Sequence, residues 1–233
     1  MNRRQYLQTV ATGVTLGTAG AAGCTELTGG AGTTTSDSNP NVKLPKPDTL
    51  RAEPEKLPYP AWGQQLPEVT LPAALQDIEV TSTQFDTPLA LTFIYTNCQT
   101  ACPVLTQALT RAQETAAAEG YADAVNFVEI TFDPERDTPQ ALQTYADEHG
   151  VDLSADNWYF LRPTTAERAD EVVNDQFGLG FQQTTPENMD AYMFAHSSLI
   201  LLVNADGYVE RTYDGGQDGI KNLPGDMNDL RQA

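Results

Sequence analysis

The chain has 233 residues, 40% of them apolar, and its 32 acidic side chains against 13 basic ones give a formal charge of -19. That length holds one or two domains with a real core, while the charge excludes nucleic acid as a partner, since phosphate contacts need clustered bases. Only four lysines occur, Lys43, Lys46, Lys56 and Lys221, and acidity spread so evenly reads as halophilic adaptation rather than as a site.

The N-terminus reads as a targeting segment. Arg3 and Arg4 precede a mild apolar run from Val10 to Ala22, a pattern that resembles a Tat export signal over residues 1–23. The run is too short and polar for a membrane span. Ala21-Ala22-Gly23-Cys24 resembles a lipobox, so Cys24 is the expected lipidation site and the membrane anchor. Residues 24–60 are rich in Gly, Thr, Ser and then Pro, without periodicity, and read as a disordered tether. As a flexible coil it would reach roughly 33 Å.

Residues 61–233 carry the pattern of an α/β domain. Glu68–Leu71 and Ile78–Thr81 alternate as a short N-terminal hairpin. Leu89–Tyr95 is a continuous apolar run, the pattern of a strand buried on both faces. The stripe Val104, Leu105, Ala108, Leu109, Ala112, Ala116 predicts a helix stopped by Gly120. Val125–Phe132 predicts a second central strand, and Thr138–Glu148 a helix with Pro139 in its first turn. A short strand at Trp158–Leu161 and a helix over Thr165–Phe177 follow. Ser198–Val203, the turn Asn204-Ala205-Asp206-Gly207 and Tyr208–Tyr213 form an antiparallel pair, before a closing helix over Leu223–Gln232. Strands joined by crossover helices, with a final hairpin, make the expected fold thioredoxin-like, a central mixed sheet flanked by helices.

Cys98 and Cys102 lie between the first central strand and its helix. Pro103 is tolerated only in a helix's first turn, which places Cys102 at the helix start and Cys98 in the preceding loop. Residues four apart on a helix rise about 6 Å, compatible with a disulfide or with two thiolates on one ion. The helix dipole favours thiolate in either case. A purely stapling disulfide across so short a loop would stabilise little. Of the two histidines, His149 reads as a helix-end cation. His196 stands at the entry to the apolar strand that a thioredoxin-like fold sets beside the dithiol. Two thiolates and one imidazole suit copper in either oxidation state, and also zinc. Met189 and Met193 flank a polar insertion at Gln182–Asp190; both read as loop or packing residues rather than soft donors.

Three motifs in order give a resemblance. Cys98-x-x-x-Cys102-Pro103, with Gln99 where a proline is frequent, is similar to the CxxxCP of the Sco family of copper proteins in cytochrome oxidase assembly. Phe132-Asp133-Pro134-Glu135-Arg136-Asp137-Thr138-Pro139 resembles its DPxRDTP signature, and His196-Ser197-Ser198-Leu199 with Asn204–Gly207 its histidine strand and turn. The resemblance covers about residues 66–214. It implies copper, Cu(I) or Cu(II), bound by Cys98, Cys102 and His196. It also implies a lipid-anchored, extracytoplasmic metallochaperone rather than an enzyme, whose partner is the copper-centre subunit of a terminal oxidase. The alternatives are a thiol–disulfide oxidoreductase, with Cys98 and Cys102 as its catalytic redox pair, and a copper or redox sensor. For the DPxRDTP loop itself, Asp137 or Thr138 is the expected helix cap, and Arg136 the expected partner of Asp133 or Asp137.

Overall fold

A computed structural model describes residues 39–48, 50, 52–185, 192–215 and 217–233. The export segment, Cys24 and Met189 lie outside the described residues. Among the described residues no helix is long and apolar enough to cross a membrane.

The N-terminal hairpin is β1 (Thr70–Pro72) against β2 (Glu79–Thr81), in register Leu71↔Val80. The central sheet contains β3 (Leu89–Ile94), β4 (Asn126–Thr131), β5 (Trp158–Leu161), β8 (Leu199–Val203) and β9 (Val209–Asp214), in the order β5-β4-β3-β8-β9. Strands β3, β4 and β5 run parallel, while β8 and β9 join antiparallel. This is the mixed sheet that the pattern of crossover helices and a terminal hairpin requires. Every residue of β3 and of β8 is buried, which is why both are continuous apolar runs without alternation.

Helix α1 (Ala101–Ala118) follows β3 and buries Cys102, Leu105, Ala108, Leu109, Ala112 and Ala116 on one stripe. It begins one residue ahead of Cys102, which was expected at the helix start. Pro103 is its third residue, where the missing N–H has no intrahelical partner to lose. Helix α2 (Pro139–His149) is capped by Thr138, whose hydroxyl accepts from the Ala141 amide, and closed by Gly150 at φ 72°. The expected helix over 165–177 divides into α3 (Ala166–Asp170) and a wider turn of helix at Glu171–Gln176. Short α4 (Gln217–Ile220) and α5 (Leu223–Gln232) end the chain.

Two segments differ from expectation. The described start of the polar insertion, 182–184, lies in a strand, β6 (Phe181–Thr184), which pairs antiparallel with β7 (Met193–His196) in register Phe181↔His196. His196 therefore closes a strand instead of sitting in a loop, and Met193 opens it. The described part of the expected tether is not a free coil. The amides of Lys43 and Leu44 donate to the Glu210 carboxylate at 2.7 and 3.0 Å, and the Asn204 side chain donates to the Asn41 carbonyl at 2.9 Å. Leu44 joins the core. A Cβ on Gly178 would stand 1.6 Å from the Pro58 carbonyl oxygen, so residues 57–59 pass directly over that glycine. Backbone donors paired with a buried carboxylate hold this segment, a device that composition cannot reveal.

Candidate metal centre

Cys98 leaves β3 through a tight turn in which its amide donates to the Tyr95 carbonyl at 3.0 Å. The turn is fixed from below. Asp137, wholly buried, accepts from the Thr96 amide at 3.1 Å, from the Thr96 hydroxyl at 2.6 Å and from the Thr131 hydroxyl. Burial pushes its carboxyl up to about 6, opposed by those hydrogen bonds. The signature loop after β4 is thus the floor that holds the cysteine loop. Arg136 pairs with Asp133 and not with Asp137; its guanidinium also donates to the Tyr192 carbonyl at 2.9 Å and lies 3.6 Å over the Tyr192 ring.

Cys98, Cys102 and His196 converge, with their sulfur and nitrogen atoms all within 4.8 Å of one another. Both thiols are free and buried. The Cys102 amide, among the unpaired N–H groups of the α1 N-terminus, points at Cys98 Sγ at 3.5 Å. His196 Nε2 lies 3.8 Å from Cys102 Sγ. Its Nδ1 lies 3.1 Å from the Ser197 carbonyl oxygen, which can only accept. With Nδ1 donating to that carbonyl, Nε2 is the ring nitrogen turned toward the sulfurs.

The contact between the two thiols drives their acidities apart. The hydrogen bond from the Cys102 thiol, with further bonds from His196 and the Cys102 and Thr100 amides, outweighs burial and holds the Cys98 thiol down at about 2. The same bond, together with burial, pushes Cys102 far up. A cation bound between them would take the place of the thiol proton and allow both sulfurs to ionise. Ligand atoms 3.8 Å apart can both reach one ion at the usual 2.0–2.3 Å, roughly, of nitrogen and sulfur ligation. Sulfur and imidazole donors select soft ions over magnesium or calcium.

An aromatic scaffold that sequence reading does not single out supports the imidazole. The Phe132 ring lies 4.9 Å and the Tyr95 ring 6.0 Å from that of His196, and Phe194 packs edge-on against both, at 5.2 Å from each. Tyr95 is the last residue of the predicted apolar run and Phe132 the last of the second, so each stood at a strand end; their meeting is a long-range fact. Burial, then the Cys98 charge, pushes the Tyr95 hydroxyl up to about 12. His149 stays apart, against Tyr145 at the end of α2.

Fold and site define a thioredoxin-like domain whose strand–helix dithiol is completed by a histidine into a soft-metal cradle. The SCO1/SenC family model matches residues 75–226, and the chain belongs to that family. The SCO1 protein homolog of Bacillus subtilis is 33% identical over 143 residues, 60% of this chain and 68% of that protein. A SCO1/SenC family lipoprotein from Bacillus anthracis superposes with a TM-score of 0.58 at 24% identity, over 71% of this chain and 94% of its own. ScoI of Bradyrhizobium japonicum with copper bound gives 0.56 at 20% identity, over 73% and 99%.

Proposed function

We propose that this chain is a copper metallochaperone tethered on the extracytoplasmic face of the membrane through Cys24. It hands copper to the dinuclear copper centre of a terminal oxidase subunit. The observation that carries the reading is the convergence of Cys98, Cys102 and His196 into one donor set. Membership of a family of cytochrome c oxidase assembly proteins and the copper-bound relative support it. Copper is cargo here. Release proceeds by ligand exchange: an incoming acceptor thiol gives its proton to the departing Cys98 or Cys102 thiolate as its own sulfur takes the ion. A tether raises the effective concentration of the two partners.

The asymmetric ionisation of the pair favours a second reading, a thiol–disulfide oxidoreductase acting on the oxidase subunit's cysteines. Cys98 as a thiolate is the attacking sulfur, and Cys102 the resolving one. His196→Ala separates the two. On the chaperone reading it abolishes copper transfer to an isolated acceptor domain while disulfide reduction persists. Transfer at the wild-type rate in His196→Ala would leave the oxidoreductase reading standing.

A further inference from the structure

Beside the metal centre, on the far side of the aromatic scaffold, lies a groove of about 290 Å³. Its apolar wall is Phe132, Phe181 and Phe194, whose rings pack on one another at 5.0–5.6 Å. Phe132 touches the groove and the His196 ring alike. Asp133, Glu135 and Asp170 also line it, with no base among the lining residues. The neighbouring base, Arg136, is engaged with Asp133 and the Tyr192 ring. Glu135 and Asp170 are exposed. The volume lies at the lower end for ligand sites and suits one large side chain. Carboxylates over an aromatic wall complement a cation next to an apolar group.

We propose that this groove is the docking site for a basic partner segment, one large apolar side chain flanked by lysine or arginine. Resting on the chaperone reading, it is where the copper acceptor is held while its own ligands reach the centre. The wall shared with His196 makes docking and metal site one continuous surface, so an anchored acceptor lies within a side chain's reach of the donors. Orientation at such an acidic site comes from charge, as is usual for encounter surfaces.

The test uses the full chain and the blocked peptide Gly-Lys-Phe-Arg-Gly, followed by amide NMR shifts, with copper uptake measured separately on each sample. The peptide is expected to shift Phe132, Phe181, Gln183 and Phe194. Binding should fall at least tenfold in the double variant Glu135→Lys/Asp170→Lys and in Ala166→Trp, which fills the groove from α3. Copper uptake should be unchanged in both. Gly-Glu-Phe-Glu-Gly should bind at least tenfold more weakly. Equal binding of the two peptides, no shift at these amides, or a dimer dissociated by Ala166→Trp would overturn the proposal. Groove binding in a chain that takes up no copper would refute the chaperone reading instead, and copper uptake without groove binding only the docking site.

Discussion

At the scale of single residues, the metal centre depends on side chains that never touch an ion. Asp137 ties Thr96 and Thr131 together beneath the cysteine loop, so Asp137→Asn is expected to lose about 1–3 kcal/mol of stability. Metal affinity should also fall about tenfold, as for a removed supporting contact. Parallel urea melts and competition titrations check this; unchanged affinity in a destabilised variant would reduce Asp137 to a purely structural role. Phe132→Leu removes a ring from beside His196 while keeping the core filled. It should weaken metal binding more than it weakens the fold. Cys98, Cys102 and His196 were legible in the sequence because thiols and imidazoles are scarce here. Tyr95, Phe132 and Phe194 were not, because nothing in local spacing distinguishes a ring under a ligand from a core ring.

Among the elements, β3 and β8 were readable as uninterrupted apolar runs, and α1 by its stripe. The β6–β7 pair was not. Gln182, Gln183 and Thr184 are all exposed, so no face alternates and the stretch has the composition of a loop. Only its pairing with β7 makes it a strand, and that pairing delivers His196 to the dithiol. The described residues of the segment 39–60 escaped detection for a related reason: Lys43 and Leu44 are held by main-chain donation to Glu210 and not by apolar periodicity. Glu210→Gln replaces a charged acceptor by a neutral one, and Asn204 then shares a weaker partner. We expect limited proteolysis within residues 39–60 to accelerate severalfold. Cleavage at the wild-type rate would show that other contacts hold the segment.

For the whole molecule, pH acts through buried acids. Glu129 on β4 is fully buried, with the Thr106 hydroxyl donating to one oxygen at 2.7 Å and its other oxygen without a partner. Burial raises its carboxyl from 4.5 to about 8, and that of Asp137 from 3.8 to about 6. For these two carboxyls the folded chain binds more protons than the unfolded one between those limits, whereas the lowered Cys98 thiol binds fewer, so the net fall in stability with rising pH is confined to roughly pH 4 to 6. Glu129 contributes at most about 1.4 kcal/mol per pH unit of that slope. Urea midpoints should drop from pH 4 to 6 and level off towards pH 8, with the drop flattened in Glu129→Gln; an unchanged profile would place the dependence elsewhere. The charge of -19 further predicts a midpoint that rises with salt as self-repulsion is screened.

The central claim concerns the three donors, and X-ray absorption of the copper-loaded chain tests it most directly. The account predicts one copper per chain with two sulfur ligands and one imidazole nitrogen. The imidazole signal should vanish in His196→Ala, and one sulfur should be lost in Cys98→Ser or Cys102→Ser. An imidazole signal that survives in His196→Ala, or two sulfurs retained in both cysteine variants, would contradict it.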